Sequence, residues 1–245
     1  MQLAVIADIH GNLLALEAVL ADIARQGAEH TINLGDCVSG PLWPRDTMDV
    51  LETLGIASVR GNHDRWVAET PRERMFPSDA FAFDALSAGQ RSVLGALPAQ
   101  INPAAGVVAV HGTPHDDNQY LLEDVAEGQL VLAQPSSIAS RLGGLSTRLM
   151  LCAHSHLPRV VQGPGDMLIV NPGSVGCPAY VDPTPPAHVS QSGTPHARYA
   201  LITQRAHAWT VALLTVEYDW MKASRRAADN GRTEWAQALA TGFIG

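Results

Sequence analysis

Short apolar runs punctuate this chain, and apolar residues fall at helical spacing between them. Gln2-Leu3-Ala4-Val5-Ile6-Ala7 reads as a buried parallel strand, because a strand covered on both faces is apolar throughout rather than alternating. A helix follows over Gly11 to Arg25, with Leu13, Leu16, Ala18, Leu20 and Ile23 along one face. His30 to Leu34 is a second strand, Pro44 to Leu54 a helix with proline in its first turn, and Gly55 to Val59 a third strand. This alternation predicts right-handed βαβ units and a parallel sheet.

Beyond Arg65 the pattern is mostly helical as far as Pro103, strongest over Ser78 to Leu94, after interruptions at Pro71 and Pro77. Gly106 to Val110 is a fourth strand, Leu121 to Leu142 carries helical patterns broken by Gly128 and Pro135, and Arg148 to Cys152 is a fifth strand. Arg159 to Gln162 and Met167 to Val170 read as a hairpin around Gly163-Pro164-Gly165. Segment 178–197 carries Pro178, Pro183, Pro185, Pro186 and Pro195, which predicts a mobile loop. Arg198 to Thr203 and Ala208 to Val216 read as antiparallel strands, and Tyr218 to Ala240 as helical. No repeat or break in composition divides the chain. It reads as one domain over 1–245, with a core over 1–176, the proline-rich loop, and closing strands and helices over 198–245.

The polar chemistry gathers where the predicted strands end. Those ends read Asp8-Ile9-His10-Gly11-Asn12, Gly35-Asp36, Arg60-Gly61-Asn62-His63-Asp64, His111-Gly112-Thr113-Pro114 and Ala153-His154-Ser155-His156. In open α/β sheets, ligands bind beyond the carboxyl ends of the strands. Gly61 is expected to make a tight turn at positive φ. Taken singly, each residue has an ordinary account: Asp8 as a helix cap, His111 as a buried histidine bonded to backbone. Five of the ten histidines at predicted carboxyl ends favour a site instead. Asp8, His10, Asp36, Asn62, His111, His154 and His156 mix hard oxygen with imidazole and require no thiolate. That set suits Mn²⁺, Fe²⁺ or Zn²⁺ better than Ca²⁺ or Mg²⁺ alone. One bridging aspartate lets such a set build two sites, and two ions ~3.5–4 Å apart clamp both oxygens of a phosphoryl displacement.

Composition narrows the function. Of the 245 residues, 46% are apolar and 16% charged, enough for a sizeable core. The net charge of −8 argues against a protein that coats nucleic acid, although a local metal charge still admits a small phosphorylated substrate. Cys37, Cys152 and Cys177 form no CxxC pair, so the chain reads as reduced and cytoplasmic. No basic leader precedes the first strand, and no apolar run reaches the length of a membrane span. Oligomeric state is not legible.

The order and type of Asp8-x-His10, Gly35-Asp36, Gly61-Asn62-His63-Asp64, His111-Gly112 and His154-x-His156 resemble the calcineurin-like metallophosphoesterases. Asn171-Pro172-Gly173-Ser174 is similar to a segment of their small bacterial phosphodiesterase branch. The resemblance spans residues 1 to about 176. It implies a four-layer α/β/β/α sandwich, with two mixed sheets flanked by helices and a dinuclear site between loops. Matched by motif, Asp8, His10, Asp36 and His156 hold one ion, and Asp36, Asn62, His111 and His154 the other. Mn²⁺ is the first expectation, with Fe or Zn as alternatives. His63 becomes the general acid beside a metal-activated hydroxide, and Arg60 meets the phosphate.

Two departures are visible. The protein-phosphatase branch follows its Gly-Asp with a second Asp and an Arg, where this chain has Cys37-Val38-Ser39-Gly40-Pro41. That favours small phosphodiesters over phosphoproteins. Ala153 also replaces the glycine usual before the last histidine pair. A dinucleoside-polyphosphate or nucleotide hydrolase stays open. A non-catalytic scaffold of the same fold is the reading from another class, and the presence of every ligand and of His63 weighs against it.

Overall fold

The computed structural model describes residues 1–206 and 208–245. The first sheet grows from β1 (Gln2–Ile6), β2 (His30–Asn33) and β3 (Ala57–Ser58), joined by α1 (Leu13–Gln26) and α2 (Pro44–Leu54). All three pair in parallel. Local chemistry sets both helices. The Asn12 side chain accepts from the Ala15 amide to start α1, and Gly27 at φ 72° ends it. Pro44 opens α2, and Gly55 at φ 58° closes it.

A helical segment follows: α3 (Asn62–Glu69), a 3₁₀ turn at Arg72–Arg74, α4 (Pro77–Ala85) and α5 (Ala88–Ala96). The single helix expected over Ser78 to Leu94 is therefore two. Ser87 stops the first by capping the second, accepting from the Gln90 amide in a capping box.

The second sheet contains β4 (Gln100–Ala104), β5 (Val107–Val110), β8 (Leu149–Leu151), β9 (Arg159–Gln162) and β10 (Leu168–Asn171), in the order β4-β5-β8-β10-β9. Between β5 and β8 lie β6 (Glu123–Ala126), β7 (Gln129–Leu132) and α6 (Pro135–Leu142). Helical character over Leu121 to Leu132 is not observed. Glu127 and Gly128 take φ 52° and 73°, and a two-residue turn with both φ positive folds this stretch into a hairpin.

The proline-rich segment is also corrected. It forms β11 (Ala179–Asp182) and β12 (His188–Gln191), which pair antiparallel and join β7 and β6 in a third sheet, β11-β12-β7-β6. The prolines sit at the joints and not inside the strands, so they cost no ladder hydrogen bond. The chain closes with β13 (Ala197–Arg205), β14 (Ala208–Val216), α7 (Trp220–Asp229) and α8 (Thr233–Thr241). β13 adds antiparallel to β1, which completes the first sheet as β14-β13-β1-β2-β3.

Alternation along the buried strands assigns the layers. Leu3, Val5, Ala7, Ile32 and Leu34 pack against Val107, Ala109, Leu149, Leu151 and Val170, one sheet on the other. Ala4 and Ile6 face Leu16, Val19, Ile23, Met48 and Leu51 of the helices. On the far side, Val108, Val110, Met150 and Ile169 meet Ile138 and Leu142 of α6. This is the expected α/β/β/α order, with the third sheet added beside it. No helix among the described residues is long and apolar enough to cross a membrane.

Candidate metal centre

The strand ladders do not stop where the strands do. Past β1 and β2, the Asp8 amide donates to Gly35 O (3.0 Å) and the His10 amide to Asp36 O (2.9 Å). Past β5 and β8, the Ala153 amide donates to His111 O (2.7 Å). Register therefore sets Asp8 beside Asp36 and His111 beside His154. Among the described residues seven non-glycines have positive φ, and five of them are Asp8 (52°), His10 (51°), Asp36 (57°), His154 (69°) and His156 (60°). Each costs of order 1–3 kcal/mol, a strain that clusters at functional sites.

Gly61 behaves differently from expectation. Its φ is −81°, open to any residue. What it lacks is room: a Cβ there would lie 2.1 Å from Asp36 Oδ1 and 2.5 Å from the Asp36 nitrogen. Asp64 holds this contact together. Its buried carboxylate accepts from the amides of Gly61, Asp36 and Cys37 at 3.0, 2.9 and 2.9 Å, and burial pushes its pKa up to about 6.

Two groups of side chains converge: Asp8, His10 and His156, and Asp36, His111 and His154. Asp36 Oδ2 stands between them, 3.8 Å from His10 Nε2 and 3.3 Å from His111 Nε2. Its Oδ1 accepts the His63 amide (3.0 Å) at the amino terminus of α3. Asn62 Oδ1 lies 2.9 Å from His111 Nε2, while its amide nitrogen donates to Asn118 Oδ1 (3.2 Å). Sequence reasoning missed Asn118.

Backbone carbonyls fix the rings. His10 Nδ1 donates to Ser39 O (2.6 Å), His111 Nδ1 to Leu34 O (2.7 Å) and His156 Nδ1 to Cys177 O (2.7 Å). Each turns Nε2 inward, the outer-shell arrangement that orients imidazole toward a metal. Tyr120 stacks on His154 at 4.6 Å and Tyr180 meets His156 edge-on at 4.6 Å. A hydrogen-bonded chain holds both tyrosines: Tyr120 Oη is 2.8 Å from Tyr180 Oη and 2.8 Å from His188 Nε2. The segment expected as a mobile loop thus backs two candidate ligands.

The electrostatics show what the cluster lacks. Burial lowers His10 to about 4 and His154 to about 3, and drives His156 well down, so these rings offer lone pairs and not protons. His10 Nε2 and His156 Nε2 nevertheless sit 3.2 Å apart. His111 is the exception: burial opposes its charge, but the Asp36 and Asp8 carboxylates prevail and raise it to about 10. Burial drives Asp8 well above the usual carboxylate range, and both its oxygens are buried without a hydrogen-bond partner. Opposed lone pairs and an orphaned carboxylate are what a divalent cation satisfies, so the donor set fits metal on its own geometry.

His63 lies beside this group. Its ring centroid is 5.4 Å from that of His10, and Nδ1 is 2.6 Å from Asp79 Oδ1. Against the penalty of burial, the carboxylates of Asp79 and Asp36 raise it to about 9. Arg60 is not brought to the cluster. Its guanidinium donates to Glu69 Oε1 (3.0 Å) and to Gly95 O (3.1 Å), tying β3 to α3 and α5.

Residues 1–189 match the family model of the calcineurin-like phosphoesterase superfamily domain. The chain belongs to this superfamily. Among curated proteins, this phosphoesterase-family chain is 26% identical over 259 residues to an uncharacterised protein of Methanocaldococcus jannaschii, covering 95% of this chain and 94% of the other. Among solved structures, it is similar to a metallophosphoesterase from Sphaerobacter thermophilus, with a TM-score of 0.76, 24% identity and 99% of each chain covered. A hypothetical protein from Pyrococcus horikoshii OT3 gives a TM-score of 0.78 at 20% identity, over 100% of this chain and 99% of the other. At these identities the structures show a shared fold, including the C-terminal residues that the family model does not reach.

Proposed function

We propose that this phosphoesterase-family protein hydrolyses phosphodiester bonds of small substrates, and phosphomonoesters as a secondary activity, with two divalent transition-metal ions. The observation that carries the reading is Asp36 Oδ2 standing between two groups of inward-facing donors, with His63 alongside. Asp8, His10, Asp36 and His156 would hold one ion, and Asp36, Asn62, His111 and His154 the other. Mn²⁺ is the first choice, with Fe or Zn as alternatives, since a set that mixes imidazole with carboxylate and amide oxygen and has no thiolate suits all three. When bound, such ions lower the pKa of a water and polarise phosphoryl oxygens.

The remaining steps belong to the chain. Asp64 and Gly61 press the Asp36 loop against α3 and keep the shared carboxylate in place. His63 donates a proton to the departing oxygen, an effect worth ~10²–10⁴-fold. The net charge of −8 gives no long-range attraction for a polyanion, which supports small substrates. Three free, buried thiols fit a reducing, cytoplasmic setting.

The test is metal titration followed by a rate comparison in Mn²⁺. The substrates are bis(p-nitrophenyl) phosphate, p-nitrophenyl phosphate, cyclic nucleotides, dinucleoside polyphosphates, a phosphopeptide and plasmid DNA. A small diester is expected to lead. Preference for the phosphopeptide or the plasmid refutes the reading, as does a protein that takes up no metal.

A further inference from the structure

The long edge of the first sheet is bare. β14 runs for nine residues, Ala208-Trp209-Thr210-Val211-Ala212-Leu213-Leu214-Thr215-Val216, without a charge, a proline or a glycine. Its register with β13 is unbroken from Ala197↔Val216 to Arg205↔Ala208, and no strand among the described residues lies on its other side. A row of unpaired N–H and C=O groups is a template for another strand, which proteins guard against with short strands, charge, proline or bulges. The other sheet edges of this molecule are guarded in those ways. β3 is two residues long, and β4 carries Pro103 and shifts register between Ile101 and Ala104. β9 opens on Arg159, β6 opens on Glu123 and Asp124, and β11 lies between Pro178 and Pro183 and ends on Asp182. β14 has none of these devices.

The ladder tells which groups are free. The Gln204 amide donates to Met1 O (3.0 Å) on the β1 side, and Gln204 stands opposite Trp209. Trp209 therefore turns its own N–H and C=O away from β13, and Val211, Leu213 and Thr215 follow at every second position. None of these outward groups has a hydrogen-bond partner among the described residues. Their side chains share one face. Trp209 and Val211 pack into the core between the sheets, whereas Leu213, on the same face, is left 39% exposed.

We propose that β14 is an interface with a second copy of this chain, in which two β14 strands pair antiparallel about a two-fold axis through Ala212 and join the first sheets of two molecules into one. The strand is its own complement. This register sets Trp209 opposite Thr215 of the second copy and Val211 opposite Leu213, so all four outward residues exchange both of their hydrogen bonds. The exposed Leu213 gains a β-branched neighbour across the strands. Ala212 meets itself without a clash, and no like charges are opposed along the strand. Arg205 before the turn and Glu217 after the strand are both exposed, and the two-fold brings Arg205 of each copy to the side of Glu217 of the other. A partner of different sequence would need none of this self-complementarity.

The test uses the full chain. Sedimentation velocity over a range of concentrations is expected to show a dimer, and wild-type protein that stays monomeric up to its limit of solubility overturns the proposal. Leu213→Lys sets a charge opposite Val211 of the second copy and should weaken dimerisation by ~10-fold or more. Leu213→Pro removes an outward donor without touching the β13 ladder, and should act in the same direction. Leu54→Lys, at an exposed leucine beside β3 on the opposite edge, should leave the dimer unchanged. With folding of each variant checked by circular dichroism, a dimer that survives both Leu213 substitutions is built elsewhere and overturns the interface. A second measurement reads the register without disturbing the core. The native cysteines are buried, so Ala212→Cys adds one accessible thiol per chain. Facing itself at a non-hydrogen-bonded pair, it has its Cα ~4.5 Å from its mate, within reach of a disulfide. Oxidation by copper phenanthroline should link Ala212→Cys into a covalent dimer and leave Thr210→Cys, which stands opposite Leu214, mostly unlinked. The reverse order overturns the two-fold through Ala212, and the absence of linkage at both positions overturns the interface.

Discussion

At the scale of single residues, two roles that the motifs merge come apart. His63 and Asn62 are neighbours in sequence, yet Asn62 Oδ1 faces His111 while the His63 ring turns to Asp79 and Ser39. His63→Ala should therefore cut turnover by ~10²-fold or more and leave metal content unchanged, as read by elemental analysis beside the kinetics. Loss of one ion in that variant would move His63 into the ligand set. Gly61→Ala is expected to do the reverse. Its Cβ would fall 2.1 Å from Asp36 Oδ1, so the shared carboxylate has to move. Metal affinity by calorimetry should drop, while proton donation from His63 stays available. Asp8, His10, Asp36, His111, His154 and His156 were legible because the ladders carry them to one place from the strand ends. Asp79 was not. It sits in an unremarkable helical turn after Pro77, and only the distance to His63 gives it meaning. Arg60, expected from its place beside the motif to meet the phosphate, bonds through one guanidinium nitrogen to Glu69 and Gly95 and leaves Nε buried without a partner.

At the scale of elements, apolar patterning identified β1, β5, β8 and β10 of the central sandwich because both of their faces are covered. Leu149 and Leu151 are 0% exposed between the sheets, and Leu149→Ala is expected to cost ~2–5 kcal/mol in a denaturation experiment. A cost below ~1 kcal/mol would place the inter-sheet core elsewhere. The elements misread are partly exposed strands with no continuous apolar run: β4, which falls in the stretch read as helical to Pro103, and β6, β7, β11 and β12. β7 pairs in parallel with β12 through Val189 and Gln129, a contact that local composition does not encode. The attachment of α1 to the first sheet also has a pH signature. Tyr199 on β13 donates to Asp22 on α1 at 2.5 Å, and that hydrogen bond lowers the Asp22 pKa. A depressed carboxylate adds stability that is present above its unfolded value and lost as pH falls through its folded value. The stability gap between wild type and Tyr199→Phe should thus be open at neutral pH and close on acidification. A gap that ignores pH would assign the loss to packing.

At the scale of the whole molecule, the proposed metal centre would couple metal binding to folding. The Asp8 oxygens without partners and the opposed Nε2 atoms of His10 and His156 are a standing cost to the metal-free protein. A cation that binds only the folded chain stabilises it by ~2.7 kcal/mol at a concentration of 100 Kd. Mn²⁺ should accordingly raise the midpoint of thermal unfolding and a chelator should lower it, with variants of Asp8 or Asp36 losing the response. An unfolding midpoint indifferent to Mn²⁺, Fe²⁺ and Zn²⁺ would leave the ligand set without its metal.

The continuation of the ladders past the strands has a kinetic side. The amides of Asp8, His10 and Ala153 are tied to the neighbouring loop by the same kind of bond that ties β1 to β2. Segments bonded in this way open only with the unit that contains them. Hydrogen exchange at these three amides should be as slow as in the strands, even in protein stripped of metal. A centre that keeps its shape without metal would let the proposed ions leave and return on the timescale of diffusion and ligand exchange, without waiting for the chain to refold around them.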